Sequence, residues 1–110
     1  MRAYELMIIF DADLEEADVQ AQLVKVNEQV AAADGQVATT DNWGKRRFAY
    51  EIDHKQEGTY VVLELLRDAG GFDDLERSLR LADEVVRHKL LRLPDHEAAR
   101  RGLLGEATPA

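Results

Sequence analysis

The apolar positions of this chain alternate between two periods, and the alternation sets out the elements. Tyr4 to Phe10 is apolar nearly throughout after Glu5, as in a central strand covered on part of both faces. Beyond Asp13 the spacing lengthens, and Val19, Leu23, Val26 and Val30 form one helical stripe. Asp13 and Glu16 have capping-box spacing, and acids in a first turn suit the positive end of the helix dipole. Asp34-Gly35 closes this helix, with Gly35 expected in the left-handed cap conformation. Period two then returns over Asp41 to Ile52, where Phe48, Tyr50 and Ile52 alternate with Arg47, Ala49 and Glu51. Gly44 marks a bulge or bend that Trp43 can cover. The polar run from Asp53 to Gly58 reads as a hairpin loop. Tyr60 to Leu66 is the returning strand, with Val61, Leu63 and Leu65 on one face and Tyr60, Val62 and Glu64 on the other.

The second half repeats the first. Asp68-Ala69-Gly70-Gly71 breaks the strand, and Phe72, Leu75, Leu79 and Ala82 mark a second amphipathic helix. Asp73 with Arg77, and Glu76 with Arg80, are spaced as exposed ion pairs worth about 0.3–0.5 kcal/mol each. Val85 to Leu93 is the last strand, stopped by Pro94. Residues 95–110 lack a strong period and read as a flexible C-terminal tail, although Ala98 to Leu104 has the composition for a short helix against a partner. Residues 1–94 therefore read as one α+β domain, the ferredoxin-like β-α-β-β-α-β arrangement. Right-handed crossovers put two helices on one face of a four-stranded antiparallel sheet. The first and third strands lie in the middle, and Met7, Ile9, Tyr60 and Val62 are expected exposed on the open face, inviting a partner.

Charge sharpens this picture. The 110-residue chain carries a formal −8, but the sign is segregated. Asp11 to Asp34 holds seven acids and one base, whereas Val85 to Leu93 holds Arg87, Lys89 and Arg92 and no acid. RNA binding relies on cations displacing counterions, so an acidic chain is a poor RNA ligand by itself and a basic partner should help it bind. An apolar share of 45% supports a folded body, and the absence of cysteine excludes disulfides and thiol chemistry. No apolar run approaches the ~20 residues of a membrane span, and the chain reads as intracellular, with no membrane partner.

The search for catalytic chemistry finds little. His54, His88 and His96 lack metal-ligand spacing, the single serine (Ser78) lies in a helix, and Gly70-Gly71 lacks the rest of a phosphate loop. No enzyme activity, cofactor or metal is expected. Binding chemistry is richer. Arg2, Arg87, Lys89 and Arg92 fall on the paired first and fourth strands, either to grip phosphates or to act as edge charges that block aggregation. Trp43 and Tyr60 suit a base, a protein interface or simple packing. Base stacking of the RRM kind wants aromatics on both central strands, and the first strand offers Met7 and Ile9 instead.

Three motifs then carry a family resemblance. Met1-Arg2-Ala3-Tyr4-Glu5, Trp43-Gly44-Lys45-Arg46-Arg47-Phe48-Ala49-Tyr50 and Leu79-Arg80-Leu81-Ala82-Asp83-Glu84-Val85-Val86-Arg87 resemble the bacterial small-subunit ribosomal protein S-six (S6) family, in register from Met1 to about Arg92. The family commonly has Pro where this chain has Glu51. The resemblance implies a non-catalytic structural protein of the cytoplasmic ribosome. It further implies binding to the central domain of small-subunit ribosomal RNA, as a heterodimer with the small basic ribosomal protein S-eighteen (S18). On this chain it points to Arg2, Arg87 and Arg92 for RNA contact, to which Lys89 is added from its place on the same strand, and to Trp43, Arg46, Phe48 and Tyr60 for contact with the protein partner.

Overall fold

The computed structural model describes residues 1–52 and 54–103. Its elements follow the order β1 (Arg2–Asp11), α1 (Glu16–Ala32), β2 (Gly35–Ile52), β3 (Lys55–Arg67), α2 (Asp73–Leu81), β4 (Val85–Leu93) and α3 (Asp95–Arg100). The strands form one antiparallel sheet in the order β2-β3-β1-β4, with β1 and β3 central as expected. Alternation decides which side chains meet the helices. Tyr4, Leu6, Ile8 and Phe10 of β1 and Val61, Leu63 and Leu65 of β3 share a core with Val19, Leu23, Val26 and Val30 of α1 and Leu75 and Leu79 of α2. Each fully buried side chain of this size contributes roughly 1.5–3 kcal/mol of transfer free energy. Tyr4 also packs edge-on against Phe72 and donates its hydroxyl to the Gly70 carbonyl at 2.6 Å, so its polar end is satisfied inside the core.

Several local devices differ from the expectation. The helix α1 takes Glu15 as its N-cap with no side-chain cap bond, so the Asp13–Glu16 capping box does not form. Asp11 instead accepts the Asp13 amide at 2.9 Å and the Lys55 ammonium at 2.8 Å, which turns the chain before the helix begins. At the other end of α1 the left-handed residue is Asp34 (φ 61°), not Gly35. Gly35 serves close packing: a Cβ there would lie 2.8 Å from the Phe72 ring. On α2, Glu76 faces His88 of β4 at 3.4 Å, and neither expected ion pair within α2 forms among the described residues.

The hairpin is longer and tighter than its polar loop suggested. Ile52 pairs with Lys55, so β3 begins inside the run expected as loop. Gly58 is a strand residue with a packing role, since a Cβ there would meet Ile9 at 2.6 Å and the Phe48 ring at 3.0 Å. Between the pairs Arg47–Glu57 and Ile52–Lys55, four residues of β2 stand opposite Gln56 alone, which bends the β2 arm out of the sheet plane.

The largest departure follows Pro94. Residues expected as tail form α3, which lies on the sheet face opposite α1 and α2. Ala98 and Leu103 are buried there with Ala3, Leu66 and Leu93. The folded body thus runs past the expected boundary at residue 94, while residues 104–110 lie outside those described. The open face is correspondingly less bare than expected: Ile9 and Val62 are buried, and only Met7 and Tyr60 remain partly exposed.

Candidate nucleic-acid and partner interfaces

The register of β1 against β4 fixes where the cations point. Tyr4 stands opposite Arg92, and Met7 and Ile9 stand opposite Lys89 and Arg87. Because Tyr4 faces the helices, Arg92 and its diagonal neighbour Arg2 lie on the helix side of the sheet. Lys89 and Arg87 lie on the open side. The four residues are therefore adjacent in the sheet yet do not converge; they form two pairs, one on each face of the β1–β4 edge. No carboxylate among the described residues lies within ion-pair distance of any of the four. Arg87, Lys89 and Arg92 are exposed, and Arg2 is partly so.

Trp43, Arg46, Phe48 and Tyr60, by contrast, form one continuous cluster on the open face. The Trp43 indole lies parallel to the Tyr60 ring at 6.3 Å, and Phe48 meets Tyr60 edge-on at 6.1 Å. The Arg46 guanidinium sits 5.6 Å from the Trp43 ring centroid. The bulge at Gly44 (φ 80°) shifts the register so that Gly44 pairs with Tyr60 and the indole can turn onto the ring. Asn42 accepts the Gly44 amide at 2.8 Å, and Asp41 accepts the indole N–H at 3.1 Å, so Trp43 is held while 43% exposed.

Two features of this face were not legible as site elements. The bent β2 arm carries Tyr50 and Ile52 over the sheet. With Phe48 they form one wall of a cleft of about 610 Å³, floored by Met7 and Ile9 and bounded on the far side by Arg87 and Lys89. At the opposite end, Arg101 follows α3 and binds Glu97 at 2.7 Å, Glu5 at 3.0 Å and Glu64 at 3.1 Å. Arg100, followed by Arg101, holds the Glu97 carboxyl below its ordinary value by hydrogen bonding. The carboxylates in turn push the Arg101 guanidinium up, Glu97 foremost. The Asp11 carboxyl is likewise lowered, chiefly by its bond from Lys55. Among the described residues no group of three or more metal-binding side chains occurs, and no helix is long and apolar enough to cross a membrane.

A four-stranded antiparallel sheet backed by two helices, with cations along one edge, defines a protein of the ferredoxin-like class. Relatives say which one. The family model described as "Ribosomal protein S6" matches residues 3–92, and the chain belongs to that family. The small ribosomal subunit protein bS6 of Salinispora arenicola is 46% identical over 92 residues, covering 84% of this chain and 96% of its own length. That of Corynebacterium glutamicum is 47% identical over 93 residues, covering 84% and 98%. The solved structure of 30S ribosomal protein S6 from Thermotoga maritima superposes with a TM-score of 0.82 at 29% identity, covering 91% of this chain and 94% of its own. The P2 domain of the Thermotoga maritima chemotaxis kinase CheA reaches 0.55 at 11% identity, covering 84% and 98%, and shares the fold alone. The chain is thus a structural protein of the small ribosomal subunit, cytoplasmic in bacteria, and not an enzyme.

Proposed function

We propose that the protein binds the central domain of small-subunit ribosomal RNA as a heterodimer with ribosomal protein S18. The observation that carries this reading is the pair of carboxylate-free cation sets on the two faces of the β1–β4 edge, on a chain whose net charge is −8. Arg2 and Arg92 on one side, and Arg87 and Lys89 on the other, neutralise phosphates and fix the register of the RNA without reading its sequence. The remaining acidic surface repels RNA, and a basic partner seated on Trp43, Arg46, Phe48 and Tyr60 offsets that repulsion. The family membership supports the same assignment.

Filter binding to a central-domain RNA fragment, with and without S18 and across a salt series, tests this. Tight binding is expected only with both proteins present. Arg87→Ala should weaken it across related sequences and reduce the salt slope by about 1. Equal binding with and without S18, or an unchanged slope in Arg87→Ala, overturns it.

A further inference from the structure

The cleft under the β2 arm combines three properties that one ligand chemistry satisfies together. Its walls are aromatic and apolar, with Phe48, Tyr50 and Tyr60 among the lining residues. Its far side is cationic through Arg87 and Lys89, which have no ion-pair partner among the described residues, and no Asp or Glu lines it. Its volume of about 610 Å³ falls in the range of small-ligand sites. Aromatic rings take the face of a planar ring, and guanidinium and ammonium groups take a phosphate. A buried apolar peptide side chain would use the wall but leave the two cations without a counter-charge.

The geometry points to a nucleotide site: one unpaired nucleotide of single-stranded RNA enters the cleft, its base against Phe48 and Tyr60 and its phosphate on Arg87 and Lys89. The aromatic partner for Tyr60 that the first strand lacks is supplied here from the side, by the β2 arm. The bend after Arg47 carries Phe48 and Tyr50 over β1, and the bare Gly58 leaves the space toward which both the Phe48 ring and the Ile9 side chain close in. Tyr50, 71% exposed, adds a third ring to the rim of the cleft. The inference rests on the rRNA-binding reading and revises its partner surface. Phe48 and the cleft side of Tyr60 turn to RNA in place of the protein partner, which keeps Trp43, Arg46 and the outer β2 edge.

Titrating the full chain with a hexa-adenylate single strand, followed by amide NMR shifts and by affinity, tests the site; inorganic phosphate serves as the control probe. Shifts are expected at Met7, Phe48, Tyr60 and Arg87, with phosphate alone moving only Arg87 and Lys89. Phe48→Leu keeps an apolar wall and removes the stacking ring, and should weaken hexamer binding roughly tenfold. Arg87→Gln should do the same. Hexamer binding unchanged in Phe48→Leu, or shifts confined to Arg2 and Arg92, overturns the site. So does S18 alone shifting the cleft residues and displacing the hexamer, which would make the cleft a protein contact. If the hexamer enters the cleft while the central-domain fragment fails to bind with S18, the nucleotide site stands and the rRNA reading falls. The reverse pattern removes only the site.

Discussion

The two ends of the open sheet face are built from the same strands and have opposite characters. At the Ala3–Leu93 end, α3 lays Ala98 and Leu103 onto Ala3, Leu66 and Leu93, and Arg101 ties it to Glu5 and Glu64. At the Ile9–Arg87 end, the β2 arm covers the strands without closing on them, leaving rings and cations around a cleft. The difference is one of complementarity. The covered end pairs its charges internally and buries its small apolar residues, so little remains for a partner to gain. At the cleft end the aromatic area stays half-exposed and the cations lack carboxylates, so a partner gains both by docking. The covered end contributes to stability, and the cleft end is where binding is expected.

Breaking the covered end should produce the largest change. Leu103→Ala removes a buried side chain from a small cluster and should cost about 2–3 kcal/mol in urea unfolding. The loss should appear first as exposure of amides in β1 and β4 near Ala3 and Leu93. RNA affinity measured at a temperature where the variant is folded should hold. An unfolding midpoint within error of the parent would mean that α3 is not part of the cooperative unit. Gly58→Ala acts at the cleft end with a smaller effect. The new Cβ would sit 2.6 Å from Ile9 and 2.9 Å from the Phe10 carbonyl, where only local displacement relieves it. About 1–2 kcal/mol of destabilisation is expected. The Phe48 ring should leave Ile9, which NMR contacts between the two side chains would report. Preserved contacts with unchanged stability would remove Gly58 from the account of the cleft.

The fold was legible because its signals are local. The stripe on α1, the alternation in β3 and the glycine break before α2 each specify an element, and their order leaves few topologies. The partner cluster was partly legible: Arg46 and Phe48 share one face of β2 by parity, whereas Trp43, of opposite parity, joins them and Tyr60 only through the bulge at Gly44. Three things were not. Parity along β4 already separates Arg92 from Arg87 and Lys89, but setting Arg2 beside Arg92 depends on the β1–β4 register, which counting along one strand does not supply. The cleft depends on four β2 residues standing opposite one in β3, and Phe48, Tyr50 and Ile52 read equally as an ordinary core face. The role of α3 escaped because Ala98 and Leu103 are too few to show a period. The contacts that hold it come from Glu5 and Glu64, 96 and 37 residues from Arg101.

Acid should loosen the covered end. The Glu97 carboxyl lies below its ordinary value of 4.5 because Arg100, followed by Arg101, donates hydrogen bonds to its charged form. A carboxyl lowered in the folded state stabilises fully above its unfolded value, and that contribution is lost as the pH falls through the folded value. The α3 clasp should therefore be constant at neutral pH and weaken progressively below about pH 4.5. Glu97→Gln removes this carboxylate while Arg101 keeps its ion pairs to Glu5 and Glu64, and it should remove the acid-dependent loosening that Glu97 causes. Asp11, lowered chiefly by Lys55, titrates near the root of the hairpin and provides an internal comparison. The Ala98 methyl and Leu103 amide shifts, followed from pH 6 to pH 3, should track Glu97, while Thr59 and Gly58 track Asp11. Identical titration of Ala98 in the parent and in Glu97→Gln would mean that the carboxylate within α3 has no part in holding that end of the sheet, which would then rest on the apolar contacts of Ala98 and Leu103.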